Sequence, residues 1–383
     1  MSKKVTWKTI FPIIGDVIIS PWNILIGGLL ISKLNFRMAS LSILFGYIIL
    51  GLIFYFYGRL GFKYSKKTSE LIEPIFGKKG TKYIFSIILA LGQIGWFALI
   101  TEIGGSSIAG ILGLSNFVGI IIFAAGMYFM AIMSLYKLGI VKAFITISSL
   151  CLILYLIVQN FNSIDFIEIW NDTNKSGNML WGVSVIVSSL ISFSTVTPDF
   201  FSQLKSNRDT VLTIIWGLFI PGIIITILGS IFFFRKTSLS FDVLIGASFL
   251  SMFGHIFNII TNTDASIAIY TPGNRLEYIF NIPFKYSVLI ATCIGTILSL
   301  IGITERLESW LMFLSSIFPI IISITCVYYF TSKKNVNHSS LIVSLLSIIL
   351  LSLSFIFPIY IILWIGLLFI GIIYYLYIKY INQ

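Results

Sequence analysis

The chain has 383 residues, of which 57% are hydrophobic and 10% charged, with a formal net charge of +11 and a mean hydropathy of +1.01. A soluble domain carries roughly a quarter charged residues, so the polar surface here is too small to face water, and apolar runs near the roughly 20 residues that cross a bilayer override a reading as two or three soluble domains. The excess positive charge is spread between those runs and so does not point to nucleic acid.

Met1–Lys8 carries three lysines and leads straight into an apolar span, with no small-residue cleavage site of a signal peptide. Cutting at polar and Gly/Pro breaks then predicts twelve transmembrane helices, at 12–32, 38–59, 80–111, 114–134, 137–159, 178–202, 209–233, 242–270, 284–303, 308–330, 339–357 and 358–378. Solid runs such as Ser40–Tyr57 and Leu341–Phe357 do not alternate, which excludes barrel strands. The last cut rests on Pro358, which interrupts a nearly continuous run.

Span 1 contains Gly15-Asp-Val-Ile-Ile-Ser-Pro-Trp-Asn23 followed by Gly27 and Gly28. Pro21 breaks the helix, the glycines loosen the next turn, and Asn23 sets an amide at mid-span. The segment 58–82 holds seven of the basic residues and reads as a topology determinant that touches anionic lipid. In span 3, Gln93 and Trp96 are three apart and share a face. An amide beside an indole suits a flat heteroaromatic ligand, by stacking and edge hydrogen bonds, or else packs against a neighbouring helix. Glu102 lies roughly opposite Gln93, either within the membrane as a functional group or near the outer interface.

Span 6, Ser188-Ser-Leu-Ile-Ser-Phe-Ser-Thr-Val-Thr-Pro198, is interrupted like span 1, and its hydroxyls can satisfy backbone groups freed by a break. Both interrupted spans open a five-helix block, the sequence pointer to an inverted-repeat transporter with a mid-membrane site. In span 8, Asn258, Thr261 and Asn262 form an i, i+3, i+4 patch of neutral oxygens that suits Na⁺, with carbonyls freed at the span 1 break completing the shell. Interhelical hydrogen bonding is the other use of these groups. Asp264 lies about 200° around an ideal helix from Asn262 and stands apart, as a proton or cation group. His255 reads as a core residue, and Cys151, Cys293 and Cys326 as small core residues; no transition-metal site is expected.

With the N-terminus inside, nineteen of the 25 Lys and Arg residues, Lys142 and Arg275 among them, fall in inner segments. The bias predicts a cell-membrane protein with both termini cytoplasmic. No soluble domain or phosphate-binding glycine loop interrupts the chain, so active transport must draw on an ion gradient or a partner, with no cofactor expected.

Four segments resemble the nucleobase–cation symporters, a family that includes cytosine, hydantoin and hydroxymethylpyrimidine permeases. They are Ser20–Leu30, Gly95-Trp96-Phe97, Ile191–Lys205 with its Ser-rich break and Asp199-Phe-Phe, and Asn258–Tyr270. The pattern departs at Ile100, where some members have Gln, at Gln203, where Arg is expected, and in the order Thr261-Asn262-Thr263. The resemblance implies an all-α, leucine-transporter-like bundle: one transmembrane domain with a five-plus-five inverted repeat at 10–159 and 178–330, and two extra C-terminal helices at 339–380. It implies that Trp96 stacks on the substrate, that Gln93, Ser189, Ser192, Asn23 and Thr263 contact it, and that Asn258, Thr261 and Asn262 hold the cation. The expected function is cation-coupled import of a pyrimidine, purine or related nucleobase, with Na⁺ favoured over H⁺. An amino-acid transporter on the same fold is the nearer rival and needs a carboxylate site at the span 1 break. A membrane-embedded enzyme is the further one, disfavoured by scarce, dispersed acids.

Overall fold

The structure, a computed structural model, describes residues 4–160, 166–172, 175–234, 251–303, 307–331 and 359–381. Among these most helices overlap the expected spans, while those at Thr68–Gly80 and Phe166–Asn171 lie between them. α1 (Trp7–Ile18) and α2 (Pro21–Lys33) make span 1. α3 is Phe36–Tyr64, α4 Thr68–Gly80, α5 Ser86–Leu112, α6 Asn116–Ala131 and α7 Leu135–Asn160. After the short α8 (Phe166–Asn171) come α9 (Met179–Ser194) and α10 (Thr197–Phe201), the two parts of span 6. α11 (Asn207–Ile214) passes through a π-turn into α12 (Ile220–Phe232). Span 8 is α13 (Ser251–Thr261), a 3₁₀ turn at Asn262–Asp264, and α14 (Ala265–Phe280). α15 (Phe284–Leu300), α16 (Leu307–Thr331), α17 (Ile359–Trp364) and α18 (Ile370–Ile381) follow. The expected span 339–357, the start of span 8 at 242–250, and the loop charges Asp165, Arg235, Lys236, Asp242, Glu305, Arg306, Lys333 and Lys334 lie outside the described residues.

Lipid-facing and core-facing stripes show why these helices need a membrane. On α3, Leu41, Phe45, Ile48, Leu52 and Phe56 repeat at helical spacing and are exposed, while Ile43, Tyr47, Leu50, Phe54 and Tyr57 are buried. A water-facing helix would carry charges on the outer stripe; this one is apolar all round, as a membrane span must be. The three cysteines are free thiols.

Gly27 does not loosen a turn, as expected from the sequence; it lets two helices touch. α2 crosses α12 so closely that a Cβ on Gly27 would sit 2.1 Å from the Thr226 carbonyl oxygen, and one on Gly229 would sit 2.1 Å from that of Ile24. Small residues at such a crossing allow backbone contact and hydrogen bonds such as Ser230 Oγ to Gly27 O at 3.0 Å. Gly229→Ala is therefore expected to lower the melting temperature despite the better helix propensity of Ala. Gly126→Ala on α6, where an added Cβ meets nothing within 4 Å, should leave it level or raise it.

The segment 58–82 is mostly helix rather than loop. α3 continues to Tyr64 and α4 starts at Thr68, bends at Gly77, which has φ +69°, and turns into α5. Two basic residues assigned to inner segments are buried instead. Lys142 is 0% and Arg275 1% exposed; each is paired with an acid.

Candidate functional site

The site is built from the two helix breaks. Pro21 has no N–H to lose at the first position of α2, so α1 stops at Ile18 and the halves meet at a bend of 47°. The break frees carbonyls, and Asn23 takes them: its Nδ2 donates to Ile18 O at 2.9 Å and Val17 O at 3.3 Å. Its Oδ1 is 3.5 Å from the Tyr47 hydroxyl, which is 3.0 Å from Thr226 Oγ1. In span 6 the hydroxyls of Ser194, Thr195 and Thr197 donate to the carbonyls three residues earlier at 2.6–2.7 Å. The Ser/Thr run thus satisfies its own broken backbone.

Between the breaks lies a cavity lined by Ser20, Trp22, Asn23, Gln93, Trp96, Ser189, Phe193 and Asp264 among apolar neighbours. That mixture of aromatic, apolar and convergent polar groups suits a small organic ligand. Trp96 meets Trp22 edge-on, ring centroids 5.9 Å apart at 73°, and donates its indole N–H to Ser192 Oγ at 3.0 Å. The bond locks the ring, so its face is presented at little entropic cost. Gln93 Nε2 and Asp264 Oδ1 are buried without a hydrogen-bond partner. An orphaned amide donor and carboxylate acceptor beside fixed rings are costly unless a ligand completes them.

Comparison with known proteins gives the frame. Residues 2–347 match the family model described as permease for cytosine/purines, uracil, thiamine, allantoin. The chain belongs to this family. It is 23% identical over 330 residues to the cytosine permease of Escherichia coli K12, covering 82% of this chain and 75% of that one, and equally so to that of Escherichia coli O157:H7. The fold is that of Mhp1, a nucleobase-cation-symport-1 family transporter, in a closed conformation with bromovinylhydantoin bound: TM-score 0.85 at 15% identity, over 99% of this chain and 93% of that chain. The Eremococcus coleocola manganese transporter, in complex with an aromatic bis-isothiourea substituted compound, shares the fold more loosely, with TM-score 0.68 at 12% identity over 97% and 93%. The chain is a multi-pass membrane permease and not an enzyme.

In this permease the structure brings Asn23, Gln93, Trp96 and Ser189 to one cavity. Asn23 spends its amide on the helix break, so only its oxygen remains for a ligand. Ser189 donates to Ile186 O at 2.8 Å, leaving it an acceptor. Ser192 stands behind Trp96 and orients it. Thr263 is a correction: it is not in the cavity lining. Its hydroxyl donates to Ile260 O at 3.0 Å and lies 3.4 Å from Asp16 Oδ1. The 3₁₀ turn winds Asn262–Asp264 at about three residues per turn and delivers Asp264 to the cavity instead.

Of the expected cation group, Thr261 donates to Phe257 O at 2.6 Å, Asn262 Nδ2 to Asn258 O at 2.8 Å, and Asn258 Nδ2 to Ser107 Oγ at 3.2 Å. The Oδ1 atoms of Asn258 and Asn262 are buried without partners. Two of the span 1 carbonyls at the break, Val17 O and Ile18 O, already accept the Asn23 amide. Sequence reasoning also missed Asp16 and Lys142. Lys142 Nζ is 2.5 Å from Asp16 Oδ2 and donates to Thr263 O at 2.6 Å. The signal available was one acid and one lysine each alone inside an apolar run, where a charge has to find a partner.

Proposed function

We propose that this permease imports a planar nucleobase-like compound, coupled to the entry of a cation, by alternating access in the cell membrane with both termini cytoplasmic. The observation that carries the reading is the pair of unpartnered atoms Gln93 Nε2 and Asp264 Oδ1 in a cavity walled by Trp22 and the hydrogen-bonded Trp96. A heterocycle with a ring carbonyl and a ring N–H gives the amide an acceptor and the carboxylate a donor, while its π face meets Trp96. Cytosine, uracil and hydantoins all have that edge, and cytosine permease and the hydantoin-bound Mhp1 among the similar proteins point to the same class. An amino acid fits worse, because its carboxylate would share the cavity with that of Asp264.

The cation reading rests on energetics and on the two free amide oxygens. One monovalent cation moving through ~100 mV contributes about 2.3 kcal/mol, or roughly 50-fold accumulation. The Oδ1 atoms of Asn258 and Asn262 suit Na⁺ as hard neutral ligands; the titratable alternative for H⁺ is the charged group around Asp264. The deciding experiment is uptake of labelled cytosine, uracil and hydantoins into proteoliposomes, with and without gradients of Na⁺ and pH. Uptake of amino acids but of no heterocycle would overturn the substrate class.

Ser189 offers a check that needs no driving force. With Cys151, Cys293 and Cys326 replaced, Ser189→Cys should react with a small thiol reagent, and saturating cytosine should slow that reaction at least about tenfold by occlusion. Labelling at an unchanged rate would place Ser189 outside the substrate site.

A further inference from the structure

We propose that Ile26 and Ile100 are specificity-determining residues, which select a heterocycle carrying a small apolar substituent on the side of the ring opposite its hydrogen-bonding edge. The inference rests on the reading of the chain as a permease for nucleobase-like compounds. It narrows that class from bare rings to 5-alkyl pyrimidines and 5-alkyl hydantoins.

The pair of tryptophans sorts the cavity along its length. Trp22 on α2 and Trp96 on α5 meet edge-on. As alternate spans, 1 and 3 cross the membrane in the same direction, so the turns that follow the two rings lie on the same side of them. Before the rings come the groups with unpartnered polar atoms. Gln93, with its free Nε2, stands one turn before Trp96. Asp264, with its free Oδ1, interacts electrostatically with Asp16, which precedes the break in span 1. After the rings come only carbon groups on these two helices. Ile26 lies four residues beyond Trp22 and Ile100 four residues beyond Trp96, so each isoleucine shares a face with a tryptophan. Both line the cavity, at 6% and 4% exposure. Leu311, near the start of α16, lines it too. Its neighbour Trp310 packs so closely on α5 that a Cβ on Gly95 would sit 2.1 Å from the indole, which sets this end of α16 beside Trp96.

A ring bonded by one edge to Gln93 and Asp264, with its face on Trp96, turns its opposite side to this wall. In pyrimidines and hydantoins that bind through a ring carbonyl and the adjacent N–H, the atom on the opposite side is C5. A methyl group at C5 takes its own surface and that of the two isoleucines out of water, which favours binding by about fourfold. A hydroxyl group at C5 gives up its water against carbon and is disfavoured. Isoleucine is branched at Cβ and nearly fixed in χ1, so the wall has a set shape and discriminates by size as well as by polarity.

The test begins on the unaltered protein. Purified full-length chain in detergent is titrated by calorimetry with cytosine, uracil and hydantoin, and with 5-methylcytosine, thymine and 5-methylhydantoin. Each methyl compound should bind about fourfold more tightly than its parent. 5-Hydroxyuracil, close to thymine in size, should bind about tenfold more weakly than thymine. Ile26→Thr and Ile100→Thr keep the branch at Cβ and set a hydroxyl in the wall. In each, the ratio of methyl to parent affinity should fall toward unity. A general loss of packing weakens both compounds alike and leaves that ratio where it was. Parents that bind as tightly as their methyl counterparts would overturn the proposal and leave the nucleobase reading standing, and so would a ratio undiminished in both variants. If neither variant folds, the wild-type series alone decides. Binding of none of these compounds would overturn the nucleobase reading and this inference with it.

Discussion

Trp96→Ala is expected to abolish measurable uptake while the protein still inserts and elutes as a folded species. The loss has two parts. Stacking of a base on an aromatic face is worth ~1–3 kcal/mol, or roughly 5- to 150-fold in affinity. Truncation also strips Ser192 Oγ of the indole N–H it accepts at 3.0 Å and Trp22 of its edge-on partner, so the slot loses its shape as well as one wall. Trp96→Phe separates the two parts, because it keeps a ring face and removes the N–H. It should bind more weakly than wild type and more tightly than the alanine variant. The measurement is equilibrium binding of labelled cytosine in detergent, with uptake in proteoliposomes alongside. An alanine variant with wild-type affinity would remove Trp96 from the substrate site.

What the sequence made legible follows from what membrane insertion demands locally. Apolar runs, the Pro21 and Pro198 interruptions and the Gln93/Trp96 face are properties of contiguous residues, and the described helices follow them. The errors concern where a side chain spends its hydrogen bonds. Asn23 was expected at the substrate and does line the cavity, but its amide closes the break it stands beside. Such a partner five residues away across a bend is invisible to a helical wheel. Thr263 is placed at the substrate by the resemblance alone; the structure instead carries Asp264 into the cavity lining on a 3₁₀ turn. Counting Lys and Arg by segment treats every basic residue as solvated; that rule sorts Lys78 and Lys79, which are exposed, and mislays Lys142 and Arg275, whose partners lie far away in sequence at Asp16 and Asp199.

The second of those pairs sets the other large effect: Arg275→Met should cost the fold roughly 3–5 kcal/mol, the usual penalty for orphaning a buried charge. Arg275 Nη2 donates to Asp199 Oδ2 at 2.7 Å and Nη1 to Ser69 Oγ at 3.1 Å. The other carboxylate oxygen of Asp199 accepts the Thr68 backbone N–H at 2.9 Å, and Thr68 Oγ1 donates to Thr195 O at 2.6 Å. Lys67 Nζ adds a bond to Asn274 Oδ1 at 2.6 Å. The start of α4 is thereby sewn to the second half of span 6 and to α14. Removing the arginine leaves Asp199 charged, buried and bonded only to a backbone amide. The single variant should therefore give little monodisperse protein on fluorescence-detected gel filtration. Asp199→Asn/Arg275→Met, which removes both charges and keeps similar volumes, should recover much of the folded yield, since replacing a whole buried pair costs far less than breaking one. A single variant as abundant and as heat-stable as wild type would mean that this network does not hold α4 against spans 6 and 8.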